Sequence, residues 1–466
     1  MVKLAGSATK YPARLSIVWY LGVITLGSLV LMHPACLRVD AKPMTWIDAV
    51  FTATSATCVT GLVTRRTGSE LSWVGQAVVL VLIQVGGIGI LTFTTLVTLR
   101  VRKRAGVRER LILFETIGAR ETSDLRQVLW SVLSIALVVE LVGFLLLAAH
   151  HLVSGWWGSE GSLSWKEALW HALFHSVSAF CNAGFALFDD SLVRYRGDVW
   201  VNIVVMALIV VGGLGFPVLL ELRRWLLMPE NRRWDRLSVH TKLMLLGTAG
   251  IFLLGFAVTL LLEWDGALKG SPWWERILAA AFHSVTCRTA GFNTVDLTTM
   301  TNATLFVSIL LMMIGAGPCS TAGGFKVSTV MVLLLRAWNT FQGREKINVF
   351  RRTIPNDTAN KAIVTALMFG VVTAAALTFL LVVEQSSIPH SQTGGLFIEA
   401  LFEVVSALGT VGLSIGLTDK LTVAGKMIII ALMLLGRLGP ITLFEALSRV
   451  EGHAEIEHPA EEPLIG

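Results

Sequence analysis

Four short stretches of this chain carry the residues whose types and spacing could do chemistry. The first runs from Phe51 to Gly61 and closes on Thr57-Cys58-Val59-Thr60-Gly61. The others run from Phe174 to Gly184, from Phe282 to Gly291 and from Phe402 to Gly412. The phenylalanine-to-glycine spacing is 10, 10, 9 and 10 residues. The chemistry open to such stretches is coordination. A cation leaving water must replace its hydration shell with oxygens, and backbone carbonyls provide them without a formal charge. Glycine lets a turn aim its carbonyls through dihedrals that a side chain disfavours. The candidate coordinating triplets are Val59-Thr60-Gly61, Asn182-Ala183-Gly184, Thr289-Ala290-Gly291 and Thr410-Val411-Gly412. None contains a fixed charge, so selection by a carbonyl field fits better than a charged ring. Arg288 lies just before the third triplet and is expected to turn away and hold that loop from behind. Asp189, Asp190, Asp296 and Asp419 follow their glycines by 5, 6, 5 and 7 residues. They could concentrate cations at the outer mouth, or be ordinary solvated acids.

The elements that must position these turns are apolar. Of 466 residues, 54% are hydrophobic and only 15% charged, against about a quarter charged in soluble domains. Several runs of about twenty apolar residues can cross a hydrocarbon core. The fold class is therefore an all-α polytopic membrane protein. The repeating unit is a spanning helix, a short helix ending in the glycine turn, and a second spanning helix. Spanning helices are expected at 15–32, 73–99, 125–152, 199–227, 239–263, 303–338, 360–384 and 423–449, and short ones at 46–57, 165–180, 274–287 and 395–408. That gives eight spanning helices and four re-entrant ones around a pseudo-fourfold pore. The units cover 1–99, 100–227 with a cytoplasmic linker, 228–338 with a broken second helix and 339–449, followed by an acidic cytoplasmic tail at 450–466. Asp48, Glu167, Glu275 and Glu399 suit the positive starts of the short helices. Trp46, Trp165, Trp273 and Trp274 fit an interfacial belt. A second glycine motif follows each turn glycine by 25, 28, 24 and 24 residues, beginning at Gly86, Gly212, Gly315 and Gly436. Close helix packing is its simplest use.

The net charge of +6 sits in three basic loops around 100–126, 223–242 and 336–361. That is the positive-inside pattern, with both termini cytoplasmic. The loops can meet lipid headgroups or a soluble partner, and nucleic acid is not implied. Five cysteines with no Cys-x-x-Cys pair argue against a disulfide framework. Cys58, Cys181 and Cys287 could approach one another, but small residues packing behind tight loops are the better account. His175-Ser176 and His283-Ser284 raise a membrane hydrolase as a rival. Adjacent helical residues do not face one another, so the chain is read as no enzyme.

Thr410-Val411-Gly412 matches the start of the potassium-channel loop Thr-Val-Gly-Tyr-Gly, in register with the other three triplets. Together with Gly315-Ala-Gly-Pro-Cys-Ser-Thr-Ala-Gly-Gly-Phe-Lys326, these residues resemble the Trk/Ktr/HKT superfamily of potassium transport proteins. The likeness runs from about 15 to 449 and is strongest to the Ktr or short TrkH-type membrane subunits. It implies potassium as the ion, with glycine in all four filter positions favouring it over sodium. It also implies an intramembrane gate formed by Gly315, Gly317, Ser320, Thr321, Gly323, Gly324 and Lys326. Four glycines, a proline and small polar residues agree, since they make a poor apolar helix and must face a cavity or buried protein. Arg437, costly inside a spanning helix, matches a family arginine near that gate and could touch its carbonyls. The resemblance further implies a homodimer and a cytosolic nucleotide-binding regulatory ring (KtrA/TrkA-like) in the cytoplasmic (inner) membrane. Nucleotide would act only through that separate subunit, because Gly87-Ile88-Gly89 lacks a Rossmann context. A sodium- or proton-coupled potassium symporter is the alternative.

Overall fold

A computed structural model of the chain describes residues 12–101, 125–154, 164–227, 234–385, 389 and 393–439. Its helices, in order, are α1 (Pro12–Leu31), α2 (Trp46–Cys58), α3 (Trp73–Val101), α4 (Leu125–Ser154), α5 (Trp165–Phe180), α6 (Val199–Leu214) and α7 (Phe216–Leu227). There follow α8 (Val239–Glu263), α9 (Trp273–Thr286), α10 (Asn302–Met313), α11 (Val327–Phe341), α12 (Asn356–Gln385), α13 (Leu396–Gly409) and α14 (Val423–Leu438). A two-stranded hairpin, β1 (Ile347–Val349) with β2 (Arg352–Ile354), joins α11 to α12. The expected tail, most of the first basic loop and the stretch 440–449 lie outside the described residues.

The short helices start where the sequence provides caps. Thr45 accepts from Asp48 N at the start of α2, and Ser164 with Glu167 forms a reciprocal capping box at α5, satisfying amides that have no partner within the helix. Each short helix packs against the long helix before it: α2 on α1, α5 on α4, α9 on α8 and α13 on α12. Contacts then close a circuit, α3 to α5, α6 to α9, α10 to α13 and α14 back to α2. Phe51, Phe174, Phe282 and Phe402 are all sealed inside, each burial contributing about 1.5–3 kcal/mol. The outward faces of the long helices are apolar instead, as at Leu137, Val138 and Leu141 on α4 and Leu367, Val371 and Phe379 on α12. Such faces suit lipid, where only backbone bonded within its own helix is tolerated. Among the described residues, Leu129–Leu152, Val239–Glu263 and Asn356–Glu384 are long and apolar enough to cross a membrane, with the bent pair α6–α7 a fourth.

One of the expected helices is corrected. The stretch 199–227 is not continuous: α6 and α7 meet at Gly215 with a 105° bend. Gly215 has φ +93°, and a β-carbon there would collide with Pro318 O. The freed amide of Phe216 donates instead to Cys319 O at 3.0 Å. The last helix is described as far as Leu438, where Gly439 turns the chain at φ +83°; the rest of its expected span lies outside the described residues.

Candidate functional site

The short helices α2, α5, α9 and α13 run out into turns of one design. The first triplet residue is left-handed in every case: Val59 (φ +57°), Asn182 (+57°), Thr289 (+64°) and Thr410 (+51°). The third is a glycine with φ +96°, +69°, +79° or +90° at Gly61, Gly184, Gly291 and Gly412. A side chain in this region costs about 1–2 kcal/mol, so four left-handed non-glycine residues require strong support. Part of it is backbone: the amides of Thr60, Ala183 and Val411 each donate at 2.8 Å to the carbonyls of Ser55, Ser178 and Ser406. Ala290 N donates to Thr286 O at 3.1 Å.

The rest comes from hydroxyls at those same four positions. Ser55 Oγ accepts from Gly61 N and Ser406 Oγ from Gly412 N, both at 3.1 Å. Ser178 Oγ donates to Phe185 O at 2.8 Å, and Thr286 Oγ1 to Phe292 O. Reading the sequence for glycines missed these residues. The signal was there, since each is the fourth residue after its phenylalanine.

The four glycines meet. A β-carbon on Gly61 would lie 2.5 Å from Ala183 O, and one on Gly184 2.9 Å from Gly291 Cα and 3.0 Å from Ala290 O. One on Gly291 would lie 2.6 Å from Val411 O, and one on Gly412 would strike Thr60 O. The carbonyls of Thr60, Ala183, Ala290 and Val411 thus stand in a closed ring, each filling the space beside a neighbouring turn's glycine. The helix carboxyl ends, each bearing about half a negative charge, lead into that ring.

The segment from Gly315 to Lys326 separates α10 from α11 and bonds directly to the second and fourth parts of the circuit. Gly317 N donates to Gly213 O at 2.8 Å, and Thr321 Oγ1 to Phe180 O and Gly212 O, both at 3.2 Å. Gly323 N donates to Thr410 Oγ1 at 3.0 Å, directly on the fourth turn. Gly324 (φ +72°) and Gly315 lie back to back, with Gly315 N bonded to Phe325 O at 2.8 Å. Ser320 Oγ bonds within the loop to Ala322 N at 3.2 Å. Lys326 Nζ donates to Ala322 O at 2.8 Å and Gly323 O at 3.1 Å, so it serves carbonyls of its own loop. Arg437 ties this segment to α3: Nη1 donates to Thr321 O, Nη2 to Gly86 O at 2.8 Å and Gly87 O at 3.3 Å, and Nε to Tyr20 Oη at 3.2 Å.

Other expected residues have structural work. β-Carbons at Gly86, Gly212 and Gly436 would collide with the carbonyls of Thr57, Phe180 and Leu408. Those glycines therefore admit the ends of the short helices, as expected of packing sites. Gly315 faces its own loop instead. Ser176 Oγ donates to Glu140 O at 2.7 Å and Ser284 Oγ to Phe252 O at 2.8 Å, which fixes short helices to long ones. The cysteines do not share a site: Cys181 Sγ meets Gln84 at 3.5 Å and Cys287 Sγ meets His283 at 3.5 Å. Among the described residues no His, Cys, Asp and Glu cluster suits a metal ion. Arg288 is buried, but its Nε has no hydrogen-bond partner among the described residues. Asp189 pairs with Arg66 at 3.2 Å, Asp190 with Arg194 at 2.9 Å, and Asp296 caps Thr298 N at 3.0 Å.

Known proteins resemble the chain over nearly its whole length. The TrkH family, described as cation transport proteins, matches residues 20–451. The Ktr system potassium uptake protein B of Bacillus subtilis is 36% identical over 98% of this chain and 96% of its own length. Its Vibrio alginolyticus counterpart is 36% identical over 97% and 94%. The potassium/sodium uptake protein NtpJ of Enterococcus hirae is 34% identical over 98% and 97%. In fold, the chain matches the crystal structure of the potassium transporter TrkH from Vibrio parahaemolyticus with a TM-score of 0.74 at 17% identity, covering 95% of this chain and 86% of that one. With its apolar helices, the chain is a multi-pass membrane protein, and it belongs to the TrkH family of cation transport proteins.

Proposed function

We propose that the chain moves potassium into the cell through a path lined by the four turns. Val59 to Gly61, Asn182 to Gly184, Thr289 to Gly291 and Thr410 to Gly412 act as its selectivity filter. The reading rests above all on the ring of carbonyls from Thr60, Ala183, Ala290 and Val411, closed through four glycines. Oxygens so held replace water around a cation without a fixed charge on the path. The units 1–99, 100–227, 228–338 and 339–449 are then four repeats about one axis, with both termini cytoplasmic in the inner membrane.

Gly315–Lys326, pinned beneath the ring by Arg437, acts as the gate. Its bonds to α5, α6 and the fourth turn, and its link to α3 through Arg437, support a segment that crosses the axis and must move for an ion to pass. The relatives named as Ktr system proteins support a partner regulatory subunit, read here as a cytosolic nucleotide-binding ring acting on a homodimer of the chain. A relative named for potassium and sodium uptake favours one second reading, in which sodium accompanies potassium.

Ion flux in proteoliposomes tests the proposal. Potassium uptake that exceeds sodium uptake is expected, rising when a candidate cytosolic subunit is added. Equal passage of the two ions by the unaltered protein would end the selectivity claim, and potassium flux that requires sodium would establish the second reading.

A further inference from the structure

The residue immediately after each repeat phenylalanine is polar and buried: Thr52, His175, His283 and Glu403. In the second unit, His175 Nε2 accepts from Leu187 N at 3.3 Å, holding the chain that leaves the turn. In the third, His283 Nε2 bonds Ser308 Oγ at 2.8 Å, away from the outgoing chain. The fourth differs in charge. Glu403 is completely buried, and both carboxylate oxygens face the segment just past Gly412. Ser414 Oγ donates to Oε2 at 2.8 Å and Thr418 Oγ1 to Oε1, while Ser414 Oγ accepts from Gly416 N at 3.1 Å. An ionised carboxylate accepts only, so each hydroxyl proton has a place.

No basic group stands within ion-pair distance of Glu403 among the described residues, whose ion pairs engage Asp48, Glu70, Asp189, Asp190, Asp198 and Glu275. Asp419, a second acid, also acts on Glu403 electrostatically. A buried carboxylate without a counter-charge is costly, and the adjoining ring of carbonyls is where a cation would offset it. We propose that Glu403 is a positioning residue of the filter. It fixes the outgoing limb of the fourth turn and supplies the buried negative charge against which a potassium ion in the ring is held. This rests on the transport reading above.

The test uses the full chain in proteoliposomes, with potassium and sodium flux measured for the unaltered protein, Glu403→Gln and Glu403→Asp. Glutamine keeps the shape and removes the charge. It is expected to raise the half-saturating potassium concentration about tenfold (~1.4 kcal/mol) and to lower the potassium-to-sodium ratio. Aspartate, shorter but charged, is expected to recover part of the affinity, which a merely structural role would not give. Should Glu403→Gln fail to fold, Ser414→Ala removes one hydroxyl donor, leaves the acid, and is expected to lower the same ratio. Wild-type affinity and ratio in Glu403→Gln, or equal damage from glutamine and aspartate, would overturn the inference alone. Loss of discrimination in the unaltered protein would overturn the transport reading instead.

Discussion

Replacing Gly61 by serine strains the ring in two separable ways. The new β-carbon would begin 2.5 Å from Ala183 O and 3.0 Å from Gly184 Cα. Ordinary contact begins near 3.4 Å, so the first and second turns must separate by about 0.5–1 Å, since the side chain has no flexible neighbour to push aside. The serine must also hold φ near +96°, at about 1–2 kcal/mol. A cage displaced on that scale no longer matches one ion's size, and a loss of ~1.4 kcal/mol in preference is a tenfold drop in the potassium-to-sodium ratio. Gly370→Ser is the control, because a β-carbon at Gly370 meets nothing within 4 Å. The assay is paired potassium and sodium flux in proteoliposomes at matched protein loading. A folded Gly61→Ser protein with the unaltered ratio would refute the ring as the selecting element.

Two further predictions concern the proposed gate and the proposed outer rim. Arg437→Gln removes the guanidinium bonds to Thr321, Gly86 and Gly87. One charged hydrogen bond contributes about 1.5–3 kcal/mol, so basal potassium flux should rise about tenfold or more, as it should on deleting residues within Gly317–Gly323; flux that stays level or falls in folded protein counts against a barrier. At the rim, Asp48 bonds Lys426 at 2.9 Å, Arg65 at 3.4 Å and Thr45 at 2.7 Å. Burial alone would raise its carboxyl, but the Lys426 ammonium and the Thr45 hydroxyl outweigh that and hold it below its ordinary value. A carboxylate lowered on folding contributes stability above its unfolded value of about 3.9 and loses it as pH falls through the folded value. Thermal midpoints should therefore fall below about pH 4 more steeply in the unaltered protein than in Asp48→Asn; identical slopes would contradict this.

Much of the architecture was legible because it is local. The short helices begin and end within a residue of expectation, since Thr45, Ser164 and the turn glycines act on their own neighbourhoods. The triplets were legible too, through a spacing that recurs from Phe51, Phe174, Phe282 and Phe402. The bend at Gly215 was not. Its glycine resembles those of Gly86 and Gly436, and only the nearby carbonyls of Pro318 and Cys319 make the chain break there. Ser55, Ser178, Thr286 and Ser406 looked like ordinary small helical residues until their hydroxyls were seen on the turns.

The sequence by itself determined an apolar helical chain, four glycine-ended stretches and an interrupted helix in the third unit, because composition and spacing are written along one dimension. Tertiary structure decided how these combine. The order in which Gly61, Gly184, Gly291 and Gly412 meet, the carbonyls Arg437 selects, and the bond from Gly323 to Thr410 join residues far apart in the chain. No periodicity encodes such pairs. They arise when buried backbone groups, denied water, must find partners in the neighbouring unit.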